Sequence, residues 1–134
     1  MATILVDIEV AVSPDKAWDA VRDYGALHTR LVPGFVVATE VLADREAPVR
    51  VVTFANGAVL RETIVSVDDA RRRLVWAIRG EGVDHHNGAM MVEAVGQGCR
   101  VTWTADVLPD ALVSAFEPLM RQGMATMKAT LEVA

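Results

Sequence analysis

The sequence predicts an α+β fold in which a curved antiparallel sheet of seven strands surrounds a long C-terminal helix, with two short helices after the first strand. Three observations predict it: an alternating segment that leads into a helix start, a series of short strand-like segments joined by tight turns, and helical spacing of apolar residues after Pro109. A half-buried sheet and an amphipathic helix must each bury one face, and a sheet curved around the helix buries both.

The N-terminal quarter of the chain predicts a strand followed by two short helices. Residues 4–12 alternate between apolar and other side chains, which is typical of a half-buried strand. Ser13 can cap the helix that follows, and Pro14 suits its first position. We expect this helix to end at Gly25, and a second short helix to cover residues 26–31.

The middle of the chain predicts six further strands. Asn56-Gly57 is a strong hairpin signal, and the other segments are separated by short turns rich in Asp and Gly. Consecutive strands joined this closely pair as an antiparallel meander. The predicted strands cover residues 35–42, 49–55, 59–67, 73–79, 86–95 and 100–108.

The segment after Pro109 predicts one long amphipathic helix. Pro118 lies inside it and has no N–H to donate, so we expect the helix to bend or to start afresh there. Met124 lies at the flank of the apolar stripe. The stripe consists of Leu112, Phe116, Leu119, Met120, Gly123, Met127 and Leu131.

Composition narrows the classes of protein. The 134 residues predict one domain over residues 1–134, and a net charge of −5 argues against nucleic acid as a partner. Cys99 is the single cysteine, so an internal disulfide is excluded and a reducing compartment is expected. Residues 2–12 carry acidic side chains and no basic leader, so we expect neither a signal peptide nor a membrane span, and a cytoplasmic protein.

These residues and their order resemble the helix-grip (SRPBCC) superfamily. The resemblance is carried by Ser13-Pro14-Asp15-Lys16-Ala17-Trp18, Arg61-Glu62, Leu74-Val75-Trp76, Val101-Thr102-Trp103-Thr104 and the helix that follows Pro109. The superfamily includes START lipid-transfer domains, the birch-pollen allergen, the abscisic-acid receptors and bacterial polyketide cyclases/dehydrases. The resemblance covers nearly the whole chain and implies the helix-grip fold with an internal cavity, but it does not name a ligand.

Glu62 is the principal candidate for chemistry. Strand periodicity leaves two orientations open: either Glu62 faces the interior, or Thr63, Val65 and Val67 do. The resemblance to the abscisic-acid receptors implies that Glu62 faces inward. A lone carboxylate is costly to bury in an apolar hollow, so an inward Glu62 predicts a role in binding a hydroxyl group or in general-base catalysis.

His86 is the second candidate. Adjacent strand residues point to opposite faces, and the alternation with Gly88, Met90 and Val92 selects His86 over His85 for the interior. Together with Glu62, a neutral imidazole can take a proton from an acidic carbon. The alternative is that both histidines are exposed at a loop edge. A zinc site is not expected, because no third ligand follows at a recognisable spacing.

Further positions are expected to line the cavity. The glycines remove side-chain volume from opposing walls, which favours a hollow, whereas the tryptophans and methionines fit either a ligand-binding wall or ordinary core packing. The expected ligand-binding residues are Trp76, Ile78, Gly88, Met90, Trp103, Phe116, Met120, Gly123, Met124 and Met127.

The expected function is the binding of a small hydrophobic molecule, lipid-like or polyketide-like, in an internal cavity. Cyclisation or dehydration of that molecule is the enzymatic version of this hypothesis, with Glu62 and His86 as the catalytic residues. A non-catalytic carrier or sensor and a protein-interaction module are the alternatives. No cofactor or metal is implied, and the oligomeric state is left open.

Overall fold

The fold is described by a computed structural model covering residues 1–43 and 46–133. The elements follow the predicted order. Helix α1 covers Pro14–Arg22, a π-helical turn covers Leu27–Leu31, a 3-10 turn covers Asp110–Leu112, and helix α2 covers Val113–Glu132. The strands are β1 (Ala2–Val10), β2 (Val36–Leu42), β3 (Val49–Phe54), β4 (Val59–Asp68), β5 (Arg73–Ile78), β6 (His85–Val95) and β7 (Gly98–Leu108).

The seven strands form one sheet in the order β1-β7-β6-β5-β4-β3-β2, and every neighbouring pair is antiparallel. Strands β2 to β7 are therefore a meander, and β1 closes against β7. Helix α2 packs along β1 across the concave face of this sheet. The predicted helix-grip α+β fold, including the two short helical segments after β1, is confirmed.

Local sequence signals account for α1. The Ser13 Oγ accepts the N–H of Lys16 at 3.1 Å, which satisfies one free donor of the first turn. The helix ends at Arg22, earlier than predicted, because Asp23 already leaves the helical region with φ −80° and ψ 67°. Asp69, in the β4–β5 turn, accepts the N–H of Trp18 at 2.9 Å and that of Arg22 at 2.8 Å. The β4–β5 turn therefore anchors α1 to the sheet.

Helix α2 is continuous through Pro118, so of the two expected outcomes, a bend or a fresh start, the fresh start is wrong. Its C-terminal end is fastened to the end of β1, where Lys128 donates to the Glu9 carbonyl and Glu132 accepts the Ala11 N–H at 2.9 Å. No helix within residues 1–43 or 46–133 combines the length and hydropathy needed to span a membrane. The buried side of α2 consists of Met120, Gly123, Met124, Met127 and Leu131.

The close packing of β1 against β7 can be tested by a substitution at Gly98. A Cβ at this position would lie 2.5 Å from the Val10 carbonyl oxygen, a contact that only a backbone shift relieves. We therefore expect Gly98→Ala to lower the free energy of unfolding by about 1–3 kcal/mol. Urea denaturation measures this, with Gly80→Ala as the control because nothing lies within 4 Å of a Cβ there. Equal stability of the two variants would contradict the observed packing.

Candidate functional site

Two adjoining cavities lie in the interior, where the sheet, α2 and the π-helical turn meet. The larger has a volume of about 50 Å³ and the smaller about 30 Å³. Four residues belong to the walls of both cavities: Phe35, Phe54, Glu62 and Trp103. The two cavities therefore meet around the carboxylate of Glu62.

Glu62 faces the interior. Its exposed fraction is 6%, whereas Val65 on the alternative face is 59% exposed. Ile64 is buried on the same side as Glu62, and a bulge beyond Ile64 shifts the register of β4 against β5. Of the two orientations that periodicity leaves open, the structure has the one that the superfamily resemblance implies.

The carboxylate is not alone, which corrects the expectation of an isolated buried charge. Arg50, only 3% exposed, lies opposite Glu62 in the β3–β4 register. Its Nε donates to Glu62 Oε1 at 2.8 Å, and its Nη2 lies 2.5 Å from the same oxygen. The guanidinium compensates the carboxylate charge, and pairing of this kind is what allows two ions to be buried.

Arg50 also ties the pair to its surroundings. Its Nη1 donates to the Tyr24 carbonyl at 3.2 Å, and its guanidinium carbon lies 5.6 Å from the centre of the Trp76 ring. Sequence reasoning missed Arg50, because a two-residue turn at Asn56-Gly57 would pair residue 50 with residue 63. The connection in the structure is one residue longer, with Thr53 paired to Val59, and this register places Arg50 opposite Glu62.

Both contacts from Arg50 reach Oε1 of Glu62. Its Oε2 accepts no hydrogen bond from any residue of the described ranges. Since Glu62 belongs to the wall of both cavities, Oε2 is the carboxylate oxygen left to accept a hydrogen bond or a proton from a bound molecule.

His86 also faces inward, with an exposed fraction of 5%. The backbone N–H of Ile78 donates to His86 Nδ1 at 3.1 Å, so Nδ1 carries no proton and Nε2 does. Burial, with a smaller effect of His85, lowers the pKa of His86 from 6.5 to about 4. This modifies the expected role of His86, because a neutral ring in this tautomer is a hydrogen-bond donor rather than a base.

His85 points to the opposite face of β6, as alternation requires. Its Nε2 lies 2.6 Å from Asn87 Oδ1, and Asn87 in turn donates to Asp106 at 2.9 Å. These three side chains form a polar network on the outer surface of the sheet. His86 is therefore the histidine of the interior.

Most of the expected ligand-binding residues line a cavity. Gly88 and Met124 are the exceptions and belong to neither wall. The larger cavity is lined by Trp76, Met90, Trp103, Gly123 and Met127. The smaller is lined by Ile78, His86, Trp103, Phe116 and Met120.

The two glycines accommodate aromatic rings instead of opening a hollow. A Cβ at Gly88 would lie 2.9 Å from Cε2 of Trp76, so the indole covers this glycine. A Cβ at Gly123 would lie 3.2 Å from Cε2 of Phe35 and 3.3 Å from Cζ3 of Trp103. Trp76 and Trp103 are themselves 5.9 Å apart between ring centres. The glycines thus permit dense aromatic packing, which explains why the cavities are small.

Within the described ranges, no group of three or more His, Cys, Asp or Glu side chains is placed to hold an ion. The candidate site consists of the Arg50–Glu62 pair, the His86 donor and the aromatic and aliphatic walls around them.

Comparison with protein families gives a match along almost the whole chain. The family described as "Polyketide cyclase / dehydrase and lipid transport" matches residues 1–132. None of the curated proteins matches the sequence.

Solved structures give the same architecture at low sequence identity. XoxI from Bacillus cereus is 17% identical with a TM-score of 0.84, over 99% of this chain and 98% of that one. A protein from Thermobifida fusca is 26% identical with a TM-score of 0.80, over 98% and 93%. Norcoclaurine synthase from Thalictrum flavum, in complex with dopamine and hydroxybenzaldehyde, is 23% identical with a TM-score of 0.73, over 98% and 84%. At these identities, the likeness to XoxI and to norcoclaurine synthase shows the fold alone.

The Arg50–Glu62 pair predicts a strongly non-additive effect on stability. Arg50→Met and Glu62→Gln each leave a buried group without its partner, so each is expected to lower the free energy of unfolding by about 3–5 kcal/mol. The double variant is expected to lose far less than the sum of the two. Urea denaturation at pH 7 measures all three. Arg121→Met, which breaks an exposed pair with Glu117, is the control and should cost less than about 1 kcal/mol. Additive losses for Arg50 and Glu62 would mean that the two side chains do not interact.

The buried imidazole predicts a pH dependence of stability. Because the pKa of His86 is about 4 in the folded protein and 6.5 is its ordinary value, the unfolded chain binds the extra proton first as the pH falls. The contribution of His86 is fully present above pH 6.5 and decreases by up to about 3 kcal/mol as the pH falls to 4.

The contribution of His86 is isolated by comparing the unfolding free energies of the wild type and His86→Gln from pH 7 to pH 4. The variant should lose less stability than the wild type over that range, whereas His85→Gln should lose nearly as much as the wild type does, because burial is the larger cause of the His86 shift. An NMR titration that found the His86 imidazole changing charge near pH 6.5 would rule out the buried, neutral ring.

Proposed function

Since this chain belongs to the polyketide cyclase / dehydrase and lipid transport family, we propose that it binds a small, mainly apolar molecule between the sheet and α2, with the Arg50–Glu62 pair at the centre of the site. The observation that carries this proposal is the buried carboxylate at the meeting point of the two cavities, with Oε1 paired and Oε2 free of protein donors in the described ranges. A buried ion pair is often no more stabilising than apolar side chains of the same volume. Its presence in this core therefore favours a role in binding.

The size of the interior limits how a ligand binds. Volumes of about 50 and 30 Å³ are well below the roughly 300–1,000 Å³ of typical ligand pockets. Binding must therefore displace wall side chains. Met90, Met120 and Met127 are suited to this, because the unbranched methionine side chain changes conformation readily. A small ligand that enters by local repacking fits this interior better than a long lipid.

The arrangement also supports a specific chemistry. Oε2 of Glu62 can take a proton from a carbon next to a carbonyl group, while Nε2–H of His86 donates to the carbonyl oxygen as negative charge develops there. The resulting enolate can attack a second carbonyl carbon, which closes a ring and leaves an alkoxide that takes the proton back from Glu62. Alternatively, it can expel a β-hydroxyl group that leaves as water when it recovers the proton from Glu62. Cyclisation and dehydration thus use the same two residues.

A non-catalytic carrier or sensor is the second candidate. The observation that favours it is the direct pairing of Glu62 with Arg50, since a carboxylate whose charge is already compensated is well suited to fixing a ligand hydroxyl and has less need of a proton. In this version the cavity residues orient the ligand and no bond changes.

Proton abstraction is the step that separates the two versions. For the catalyst, we expect the methyl protons of 4-hydroxyacetophenone in D2O to exchange for deuterium faster with the protein than in buffer, as followed by ¹H NMR. Replacing Arg50 and Glu62 together, as R50M with E62Q, removes the base without leaving a lone buried cation. We expect the double variant to lower the exchange rate by about 100-fold or more.

Glu117→Gln provides a control, because it removes a carboxylate that is paired at the surface of α2. It should exchange the methyl protons as the wild type does. Binding of the compound without any acceleration of exchange would favour the carrier and exclude Glu62 as a base for this class of carbon acid.

A further inference from the structure

Three residues of the cavity walls carry N–H groups that no acceptor among the described residues satisfies. Nε1 of Trp76 and Nε1 of Trp103 are buried and have no partner in the described part of the chain. His86 engages the protein through Nδ1, and its Nε2–H has no acceptor within residues 1–43 and 46–133. The two indole nitrogens are fully buried atoms, and buried donors are nearly always hydrogen-bonded in folded proteins, so two in one site need a physical reason.

Trp18 shows that the chain satisfies an indole where the indole is structural. Its Nε1 donates to Asp69 Oδ1 at 2.9 Å, and Trp18 belongs to the wall of neither cavity. The unsatisfied indoles are the two that line the cavities. Hydrogen bonding of the indole N–H therefore distinguishes Trp76 and Trp103, which line the cavities, from Trp18.

The acceptors at the site are far fewer than the donors. Glu62 Oε2 is the one carboxylate oxygen left over among the described wall residues, since Oε1 takes both contacts from Arg50. The guanidinium has five N–H groups and makes three described contacts, to Oε1 twice and to the Tyr24 carbonyl once, so it adds further donors. A molecule that completes this site must supply several acceptors and one donor.

We infer that the ligand is an uncharged, acceptor-rich carbonyl compound that carries a hydroxyl group, and that amines and plain hydrocarbon chains are poor ligands. This inference rests on the proposed function, because it specifies the molecule that the same cavities bind. Carbonyl oxygens accept from the indole and imidazole N–H groups, the hydroxyl donates to Glu62 Oε2, and the carbon frame packs against the aromatic walls.

The two excluded classes fail for different reasons. An ammonium group brings more donors to a site that already has too many, and Arg50 has compensated the carboxylate charge that would attract it. A hydrocarbon chain leaves the buried indole N–H groups without acceptors, so it gains no hydrogen bond from the site. A hydroxyl-bearing carbonyl compound avoids both costs.

Three single-ring compounds of nearly equal shape test the inference. 4-Hydroxyacetophenone has both groups, 4-ethylphenol lacks the carbonyl oxygen, and tyramine replaces it with an amine. We expect 4-hydroxyacetophenone to bind at least about tenfold more tightly than the other two, as measured by NMR titration of the full-length protein.

The indole signals report where the compound binds. The protein has three tryptophans, so its ¹H–¹⁵N spectrum contains three indole N–H signals, which single Trp→Phe variants assign. With 4-hydroxyacetophenone, we expect the Trp76 and Trp103 signals to move, at least one of them downfield, while Trp18 stays in place as the internal control. Trp103→Phe should weaken binding of the ketone about five- to tenfold more than it weakens binding of 4-ethylphenol, because both compounds lose the same wall contact and only the ketone loses a hydrogen bond.

The outcomes distinguish this inference from the proposed function. Equal or tighter binding of 4-ethylphenol or tyramine, with the cavity indole signals shifting, would overturn the acceptor-rich ligand and leave the cavity as a binding site. Absence of any shift with all three compounds would overturn both. If Trp103→Phe does not fold, the comparison of the three compounds on the wild type still decides the question.

Discussion

The pairing of Arg50 with Glu62 is the interaction on which the geometry of the interior depends. The two side chains come from neighbouring strands, and the same guanidinium reaches the Tyr24 carbonyl in the segment between α1 and the π-helical turn. It also lies against the ring of Trp76 on β5. One side chain thus fixes three strands and one connecting segment around the cavities. Because it is buried, the pair is held in a low-dielectric environment where each contact is strong and the loss of either partner is costly.

Burial in the same interior also determines the protonation state of His86. Burial favours the uncharged ring, and the Ile78 N–H selects the tautomer by occupying Nδ1. The interior therefore combines one compensated carboxylate with a neutral donor a short way along the wall of the smaller cavity. General acid–base chemistry and ligand recognition both need such a separation, with an acceptor on one side of a molecule and a donor on the other. The fold supplies it by placing Glu62 on β4 and His86 on β6.

Periodicity and turn chemistry are local properties of the sequence, and they predicted the strands, the Asn56-Gly57 turn and the Ser13 cap correctly. The inward direction of Glu62 needed the superfamily resemblance, because Thr63 and Val65 make the opposite face equally plausible from alternation alone. Arg50 was missed because its role depends on cross-strand register. Gly88 and Gly123 were misread for a related reason, since the absence of a side chain does not say which neighbour fills the space. Pairing and packing are tertiary properties, and single-residue patterns do not contain them.

The small free volume of the interior bears on which molecules can bind there. In a superfamily fold suited to enclosing ligands, this chain uses two glycines to bring Phe35, Trp76 and Trp103 close together, and little free volume remains. A ligand must therefore separate walls that already touch. Its binding free energy then depends on how much more favourably the walls pack around the ligand than they pack against each other. The apolar part of that difference is small, because the walls pack well without a ligand. The unsatisfied N–H groups behave differently, since they find a partner only when an acceptor arrives. In a dense interior of this kind, the proposed ligand is selected by hydrogen-bond complementarity more than by hydrophobicity alone.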